Sequence, residues 1–352
     1  MINVLIVEDS PVVRQFLVHI LGSDPEITVV GVAHNGEEAV EAVQAKRPDV
    51  VTMDIHMPKL NGFDATRRIM EMNPVPIVIV SGSSTGEELA TTFHALESGA
   101  LAVVRRPSGV AHPDHETSAR ELVRTVKLMS EVKVVRRWRT RPRPAGAVEQ
   151  PPPKPSGTSE IIQLVALGAS TGGPIALQTI LSRLPRGFPV PLVVVQHMAE
   201  GFVRGFADWL GQTTPLPVRV PGNGEWMEPG HVYIAPDGYH TLVRSDLRIV
   251  LRKDEPENGL RPSVAPLFRS AAEAFGPKAI GILLTGMGTD GAAELKLMSD
   301  AGAVTFVQDK ESSIVHGMPG EAIRLGAATH ILPPEKISDA LVLLHHRVSK
   351  GK

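Results

Sequence analysis

The sequence predicts an α/β protein made of two domains and a connector, and three observations support this fold class. The chain has 352 residues, about twice the length of an ordinary domain. Along most of the chain, short apolar runs alternate with amphipathic helical patterns, as in parallel sheets covered by helices on both faces. Between the two alternating regions, six of the fourteen residues from Pro142 to Pro155 are proline, which disfavours helix and sheet. The predicted boundaries are 1–125, 126–158 and 159–352.

The composition excludes several classes of protein. Hydrophobic residues make up 42% and charged residues 21% of the chain, which excludes a disordered or collagen-like protein. Because cysteine is absent, disulfide scaffolds, thiolate metal sites and cysteine nucleophiles are excluded. No apolar run approaches the roughly 20 residues of a spanning helix. We therefore expect a soluble, cytoplasmic protein with no membrane insertion.

The first domain contains five strand-like runs. They are Val4–Val7, Ile27–Ala33, Asp49–Met53, Ile77–Val80 and Leu101–Val104. Amphipathic stretches such as Val12–Leu21 and Glu37–Ala45 separate these runs and predict crossover helices. Five such units predict a small, doubly wound domain of the flavodoxin-like kind, whose site lies at the carboxyl ends of the strands.

Acidic residues fall at these predicted strand ends. Glu8 and Asp9 follow the first run, and Asp54 follows the third. Clustered carboxylates repel one another unless a cation neutralises them, and oxygen ligands suit Mg²⁺. With Ser81 after the fourth run and Arg106 after the fifth, the set favours transfer of a phosphoryl group onto a carboxylate. The alternative is that the acids merely cap helices.

The connector, residues 126–158, is basic. It holds eight basic and two acidic residues, a net charge of +6, with Trp138 inside the basic run. One interpretation is a site for nucleic acid or another anionic partner. The other is a solvated helix end that continues into a semi-extended tether. We favour the tether and expect no nucleic-acid partner.

The second domain repeats the alternating pattern with an insertion. Its predicted strands are Ile161–Leu167, Pro191–Val195, Ala279–Leu284 and Val304–Val307. Its predicted helices include Ala176–Leu184, Val264–Phe275, Ala292–Ala301 and Pro334–Arg347. Within residues 217–251, the runs Val232–Ala235, His240–Val243 and Arg248–Leu251 suggest a small antiparallel piece. The fold expected is an α/β domain with a parallel sheet and a small antiparallel insertion.

The first strand of this domain leads into residues 168–174, Gly-Ala-Ser-Thr-Gly-Gly-Pro. Glycines allow a sharp turn from strand to helix, which places Ser170 near a helix N-terminus that stabilises an oxyanion. The spacing also satisfies the Gly-x-Ser-x-Gly pattern of a nucleophile elbow. Two alternatives stay open, namely a phosphate or dinucleotide loop and a serine that only caps the helix.

Two further strand ends carry polar residues. His197 follows an apolar run, and Asp290 lies in the glycine-rich loop after another. Taken singly, the histidine has a structural alternative and the aspartate has a helix-cap alternative. Serine, histidine and aspartate at the carboxyl edge of one parallel sheet have the geometry of acyl transfer. Their chain order differs from the Ser…Asp…His order of ordinary α/β-hydrolases.

Residues 1–125 resemble response-regulator receiver domains. The matching motifs are Val7-Glu8-Asp9-Ser10, Met53-Asp54-Ile55-His56-Met57-Pro58, Asn61-Gly62 and Ser81. The resemblance implies that Asp54 accepts phosphate from a histidine kinase. It also implies that Glu8, Asp9, Asp54 and the backbone carbonyl of His56 hold Mg²⁺.

Two of the receiver's switch positions depart from the family. The resemblance assigns the switch to Ser81, Val103 and Arg106, but the family usually has an aromatic residue in place of Val103 and a lysine in place of Arg106. Arginine keeps the charge but presents a planar fork. The resemblance therefore predicts phosphorylation with an altered conformational response.

Residues 159–352 resemble the catalytic domain of chemotaxis protein-glutamate methylesterases. The matching motifs are residues 168–174, Val195-Gln196-His197-Met198, Tyr233-Ile234-Ala235-Pro236, residues 284–292 and Val315-His316-Gly317-Met318-Pro319. The resemblance implies hydrolysis of glutamate γ-methyl esters on chemoreceptors, with release of methanol, and deamidation of receptor glutamines.

The resemblance also implies the roles of individual residues. Ser170 is the nucleophile, His197 the general base and Asp290 the residue that orients the base. Backbone N–H groups near Thr171 and Met287 are the oxyanion donors, and ester hydrolysis needs no cofactor. Two rival functions are a nucleotide-binding α/β enzyme and a DNA-binding response regulator. The first lacks the third glycine of the dinucleotide fingerprint, and the second lacks a helix-turn-helix signal.

Overall fold

The computed structural model describes residues 1–82, 86–132, 134 and 161–350, without the side chains of 86–89 and 344–350. The chain divides into two compact units, Met1–Val148 and Glu149–Lys352. The basic run begins at Lys127 in α5, but the rest of it, around Trp138, and the proline-rich stretch Pro142–Pro155 lie outside the described residues. The boundaries at 125/126 and 158/159 stay predictions.

In the part that the structure describes, the first unit is one parallel sheet with five helices. Its strands are β1 (Ile2–Val7), β2 (Ile27–Ala33), β3 (Val50–Met53), β4 (Ile77–Ser81) and β5 (Ala102–Arg105). Its helices are α1 (Pro11–Gly22), α2 (Gly36–Lys46), α3 (Gly62–Met72), α4 (Gly86–Glu97) and α5 (His115–Ser130). The strand order β2-β1-β3-β4-β5 confirms the predicted flavodoxin-like topology.

Local sequence explains where the helices of this unit begin. Pro11 occupies the first turn of α1, where its missing N–H has no helical partner to lose. The Asn35 side chain accepts hydrogen bonds from two backbone N–H groups of α2, and Asn61 caps α3 in the same way. These caps set the turns that follow β2 and β3, so the strand ends open towards one edge of the sheet.

The second unit is larger and is built on a seven-stranded sheet. Its strands are β6 (Leu164–Ala169), β7 (Leu192–Gln196), β8 (Val218–Arg219), β9 (Val232–Ile234), β10 (His240–Val243), β11 (Ile249–Arg252), β12 (Ala279–Leu283), β13 (Val304–Gln308) and β14 (His330–Leu332). Its α-helices are α6 (Gly173–Leu181), α7 (Val203–Thr213), α8 (Val264–Phe275), α9 (Ala292–Asp300), α10 (Gly317–Arg324) and α11 (Pro334–Lys350).

All seven strands of the large sheet are parallel, in the order β14-β13-β12-β6-β7-β9-β8. The first strand of the domain, β6, lies between β7 and β12, and the chain proceeds outwards from it in both directions. The strand order therefore reverses at β6, and a crevice forms at the carboxyl end of such a strand. The residues that follow β6, β7 and β12 meet there.

The structure corrects one part of the predicted insertion. The predicted antiparallel piece included Val232–Ala235, but β9 pairs in parallel with β7 and belongs to the large sheet. The antiparallel piece consists of β10 and β11 alone. Val232, Tyr233 and Ile234 are all fully buried, and a strand buried on both faces suits the interior of a parallel sheet. The first predicted strand was also too long, because Ile161 and Gln163 are exposed and β6 begins at Leu164.

Helix α8 covers the large sheet on the side that also carries the β10–β11 hairpin. Its side chains Leu267 and Phe268 are fully buried in a core shared with Leu164 and Ala166 of β6. This packing places the N-terminus of α8 over the crevice at β6. Among the described residues, no helix is long and apolar enough to cross a membrane.

Candidate functional site

Sheet register places Ser170 and His197 side by side. Ala169, the last residue of β6, pairs with Gln196, the last residue of β7. The residues that follow them, Ser170 after β6 and His197 after β7, are therefore neighbours. The backbone N–H of His197 donates to the carbonyl of Ala169 at 2.9 Å, and that of Ser170 donates to the carbonyl of Thr285 at 3.0 Å. Ser170 therefore lies between the ends of β7 and β12. It follows β6, the strand at which the strand order reverses and a crevice forms.

The turn after Ser170 needs its glycines. Gly172 has φ +80° and forms the N-cap of α6 without a side-chain capping bond, so Ser170 is not the cap of this helix. The Ser170 hydroxyl makes no hydrogen bond within the described residues. A side chain at Gly286 would bring its Cβ to 2.7 Å from the Ser170 Cβ. Only a glycine lets the loop after β12 pass this close to Ser170.

His197 and Asp290 form a buried contact. The Nε2 atom of His197 lies 2.9 Å from Oδ2 of Asp290, and the two side chains are 9% and 3% exposed. The distance is within hydrogen-bonding range, but the N–H direction is not aligned for a hydrogen bond. Because Nε2 faces Asp290, Nδ1 is the ring nitrogen that is not turned towards this carboxylate.

The surroundings of Asp290 favour its ionised form. Burial alone raises the pKa of this carboxyl, but the contact with His197 and hydrogen bonds from Ser263 and Val264 outweigh it and lower the pKa below the ordinary value. The N-cap of α9 is Gly291, and no side chain caps that helix. The helix-cap alternative predicted for Asp290 at Ala292 is therefore not what the structure shows. Asp290 faces His197 instead.

Three polar residues that the sequence analysis did not single out brace this site. The Gln196 amide donates to the carbonyls of Ser170 and His197, each at 2.8 Å. The Thr285 hydroxyl donates to the carbonyl of Thr171 at 2.9 Å, while its backbone N–H donates to the Gln308 side chain at 2.8 Å. Gln196 and Gln308 are each the polar last residue of an otherwise apolar strand. That position is the sequence feature from which their role at the site could have been predicted.

The loop that contains Met287 runs beside Ser170. Its Gly286 donates to the carbonyl of Val315 at 2.9 Å and accepts from the N–H of Met318 at 2.9 Å. Met287 follows directly and is half-buried. On the other side, the backbone N–H of Thr171 donates no hydrogen bond within the described part of the chain. Both residues predicted as oxyanion donors thus lie next to Ser170.

In the first unit, the three predicted acids come together. Oxygen atoms of Glu8, Asp9 and Asp54 lie within 4.8 Å of one another. Glu8 and Asp54 are buried, whereas Asp9 is exposed. Burial, followed by the charge of Asp54, raises the pKa of Glu8 to about 7. Burial also raises the pKa of Asp54. The N-cap of α1 is Ser10, and no side chain caps this helix, so the acids do not serve as its caps.

The remaining receiver positions surround this cluster. Nη2 of Arg106 lies 3.3 Å from Glu8 and 3.6 Å from Asp54. Ser81 is the last residue of β4 and is buried, with its hydroxyl 3.3 Å from that of Thr92. Val103 is half-buried in β5, and His56 is exposed two residues after Asp54.

The acidic cluster fits a divalent cation. Two buried carboxylates whose pKa values are raised by burial lie beside a third acid. Arg106 lies near the Glu8 and Asp54 carboxylates, and Arg14 donates to the backbone carbonyls of Glu8 and Asp9, so two guanidinium groups among the described residues face three carboxylates. A hard cation with oxygen ligands relieves this repulsion. The donors are all carboxylate oxygens, which suit Mg²⁺ and not a thiophilic metal.

The two units together define a class of protein. The first unit has a sheet of order 2-1-3-4-5 with an acidic cluster at its strand ends. The second is a parallel α/β domain with serine, histidine and aspartate at its crevice. This combination defines a response regulator with a hydrolase-like output domain. The Response regulator receiver domain family matches residues 4–112, and the CheB methylesterase family matches residues 165–341. The chain belongs to the CheB methylesterase family.

Relatives match over nearly the whole chain. A protein-glutamate methylesterase/protein-glutamine glutaminase of Nitrosospira multiformis is 58% identical, over 98% of this chain and 97% of its own length. One from Geobacter metallireducens is 56% identical, over 98% and 99%. The crystal structure of the Thermotoga maritima CheB methylesterase catalytic domain is 39% identical, with a TM-score of 0.51, and covers 52% of this chain and 98% of its own.

Proposed function

We propose that this protein is a phosphorylation-regulated methylesterase that hydrolyses glutamate γ-methyl esters on chemoreceptors and releases methanol. The same site deamidates receptor glutamines, releasing ammonia. The family and the names of the full-length relatives support this activity. The single observation that carries it is the register that sets Ser170 beside His197, with Nε2 of His197 2.9 Å from Asp290.

The proposed reaction begins at the Ser170 hydroxyl. Its oxygen attacks the ester carbonyl while Nδ1 of His197 accepts the proton. Asp290 keeps the other ring nitrogen protonated and stabilises the imidazolium that forms. The protonated His197 then donates to the departing methoxide, so methanol leaves and an acyl-enzyme remains. Water, activated by the same histidine, cleaves the acyl-enzyme and regenerates Ser170 with a free glutamate as product.

Backbone groups next to Ser170 are proposed to stabilise the tetrahedral intermediates. The N–H of Thr171 lies at the start of the turn that leads into α6, where the helix dipole favours negative charge. The second donor is the backbone N–H of Met287, in the loop that Gly286 brings against Ser170. Fixed donors of this kind contribute because they need no reorganisation when charge develops.

Regulation is proposed to begin at Asp54. This carboxylate accepts a phosphoryl group from a histidine kinase, and Glu8, Asp9, Asp54 and the carbonyl of His56 hold Mg²⁺. The cation supplies charge neutralisation for the phosphoryl oxygens. Arg106, within 3.6 Å of Asp54, pairs with the phosphoryl group. Ser81 and Val103 occupy the switch positions of β4 and β5, and Val103 has no aromatic ring to reorient, which alters the response.

The decisive experiment replaces the nucleophile. Ser170→Ala is expected to fold normally and to release methanol from methylated receptor membranes on the order of 10⁶ more slowly, as for loss of other catalytic serines. Ser182→Ala, an exposed serine at the C-cap of α6, the helix that follows Ser170, is the matched control and should retain full activity. Methanol release by Ser170→Ala at a rate close to that of the control would refute the assignment.

A further inference from the structure

Two groups at the N-terminus of α8 donate hydrogen bonds to the Asp290 carboxylate. The Ser263 hydroxyl donates to Oδ1 of Asp290 at 2.7 Å, and the backbone N–H of Val264 donates to Oδ2 at 2.6 Å. Ser263 is fully buried, and Asp290 is 4% exposed. The same hydroxyl also accepts the N–H of Ala265 at 3.2 Å and so caps the helix.

We propose that Ser263 is a positioning residue for ester hydrolysis, which acts through Asp290 on His197. The inference rests on the proposed Ser170–His197–Asp290 mechanism and adds a fourth side chain to it. Ser263 bonds Oδ1 of Asp290, whereas His197 faces Oδ2. Because Ser263 is fully buried, it acts on the reaction only through Asp290.

Two donors on two oxygens fix the plane of the Asp290 carboxylate. Rotation of the carboxylate would break the bond to the Ser263 hydroxyl, to the Val264 N–H, or to both. With the plane fixed, Oδ2 stays 2.9 Å from Nε2 of His197. A hydrogen bond to a charged, buried group is among the stronger ones. The positive end of the α8 dipole favours the carboxylate anion at this place as well.

A second buried residue holds Ser263 itself. The backbone N–H of Ser263 donates to Nδ1 of His240 at 3.3 Å, and Nε2 of His240 lies 3.0 Å from the carbonyl of Glu255. A ring that carries its proton on Nε2 satisfies both contacts. His240 is 2% exposed and begins β10. The β10–β11 hairpin therefore supports the catalytic edge of the sheet through Ser263.

The competing explanation is that Ser263 only caps α8. Ser263→Gly separates the two roles, because glycine is nearly as good an N-cap as serine but has no hydroxyl for Asp290. The expected result is a kcat about tenfold lower with an unchanged KM, since a charged-group hydrogen bond is lost while no substrate contact changes. Methanol release from methylated receptors is measured on the full-length, phosphorylated protein.

Ser270 provides the matched control on the same helix. Its hydroxyl is buried, accepts the N–H of Val243 and donates to the carbonyl of Leu267, each at 3.0 Å. Ser270→Ala thus removes a buried, bonded hydroxyl from α8 without touching Asp290. It is expected to lower the melting temperature while kcat and KM stay at the wild-type values.

A double-mutant cycle tests whether Ser263 works through the carboxylate. In an Asp290→Ala background, Ser263→Gly should cause no further loss of kcat, because the group it positions is gone. An equal loss with and without Asp290, or a changed KM at constant kcat, would overturn the positioning role. Ser170→Ala is assayed in parallel. If it is active, the proposed mechanism itself fails, whereas an inactive Ser170→Ala beside a fully active Ser263→Gly refutes the positioning role alone.

Discussion

Asp290→Asn isolates the charge of the third catalytic residue from its shape. The asparagine amide has an oxygen that accepts and an NH₂ group that only donates, and the backbone N–H of Val264, 2.6 Å from Oδ2, needs an acceptor at that position. The amide oxygen is therefore expected to take the place of Oδ2, which also faces Nε2 of His197. The amide nitrogen then faces the Ser263 oxygen, which is able to accept. The histidine keeps its orientation and its tautomer, and the variant loses the negative charge.

The magnitude follows from the contact. A carboxylate and an imidazolium with charges about 4 Å apart interact by about 4 kcal/mol at an effective dielectric constant of about 20. Each 1.36 kcal/mol of barrier is about a factor of ten in rate, so kcat is expected to fall about 10³-fold. Where an amide reverses the histidine tautomer, as in serine proteases, the loss reaches about 10⁴-fold. The Val264 N–H is the reason to expect the smaller value here.

Methanol release from methylated receptor membranes measures this change, with the full-length protein phosphorylated to equal occupancy. The control is Asp246→Asn, an exposed carboxylate between β10 and β11 that pairs with Arg244 and should leave kcat unaltered. Melting temperatures establish that both variants are folded. A loss of less than about tenfold in a folded Asp290→Asn protein would show that the charge does not stabilise the transition state.

The Asp290→Asn variant should also change how the unfolding free energy depends on pH. The folded-state pKa of Asp290 lies below its ordinary value of 3.8, so the ionised carboxylate stabilises the fold above that pH. This contribution is lost as the pH falls through the folded-state pKa. Asparagine does not titrate. The difference in unfolding free energy between wild type and Asp290→Asn, measured by denaturant titration, should therefore shrink as the pH is lowered below about 4.

Two further predictions concern the receiver domain. Arg106→Lys combined with Val103→Phe should raise the ratio of phosphorylated to unphosphorylated methanol release, because both changes restore the usual switch contacts; an unchanged ratio at equal phospho-Asp54 occupancy would contradict this. Mg²⁺ binding, measured by calorimetry, should weaken about tenfold or more in Asp9→Asn, because one of three carboxylate charges is removed. Asp114→Asn, an exposed residue at the N-cap of α5 that makes no side-chain capping bond, serves as its control and should bind Mg²⁺ like the wild type.

Local pattern was enough to locate most strands and the residues that end them. The predicted ranges Ile27–Ala33, His240–Val243 and Val264–Phe275 coincide with β2, β10 and α8. Runs of buried apolar residues and their polar ends are properties of neighbouring positions in the chain. Because parallel strands with helical crossovers all point the same way, a polar residue after each strand must reach the same edge. For this reason the candidate residues Ser170 and His197 could be predicted from the sequence alone.

What only the tertiary structure decided is which of those residues meet and through which atoms. Apolar periodicity did not show whether Val232–Ala235 belongs to the antiparallel insertion or to the large sheet. The segment forms β9 of the large sheet because it pairs with β7, a strand distant in sequence. Periodicity also did not reveal that Nε2 of His197 faces Asp290, or that Ser263 and Val264 hold that carboxylate. Ser263 lies 27 residues from Asp290 in the chain. Its hydroxyl reaches the carboxylate because α8 packs over β6, and hydrogen bonds formed by packing leave no mark in local sequence.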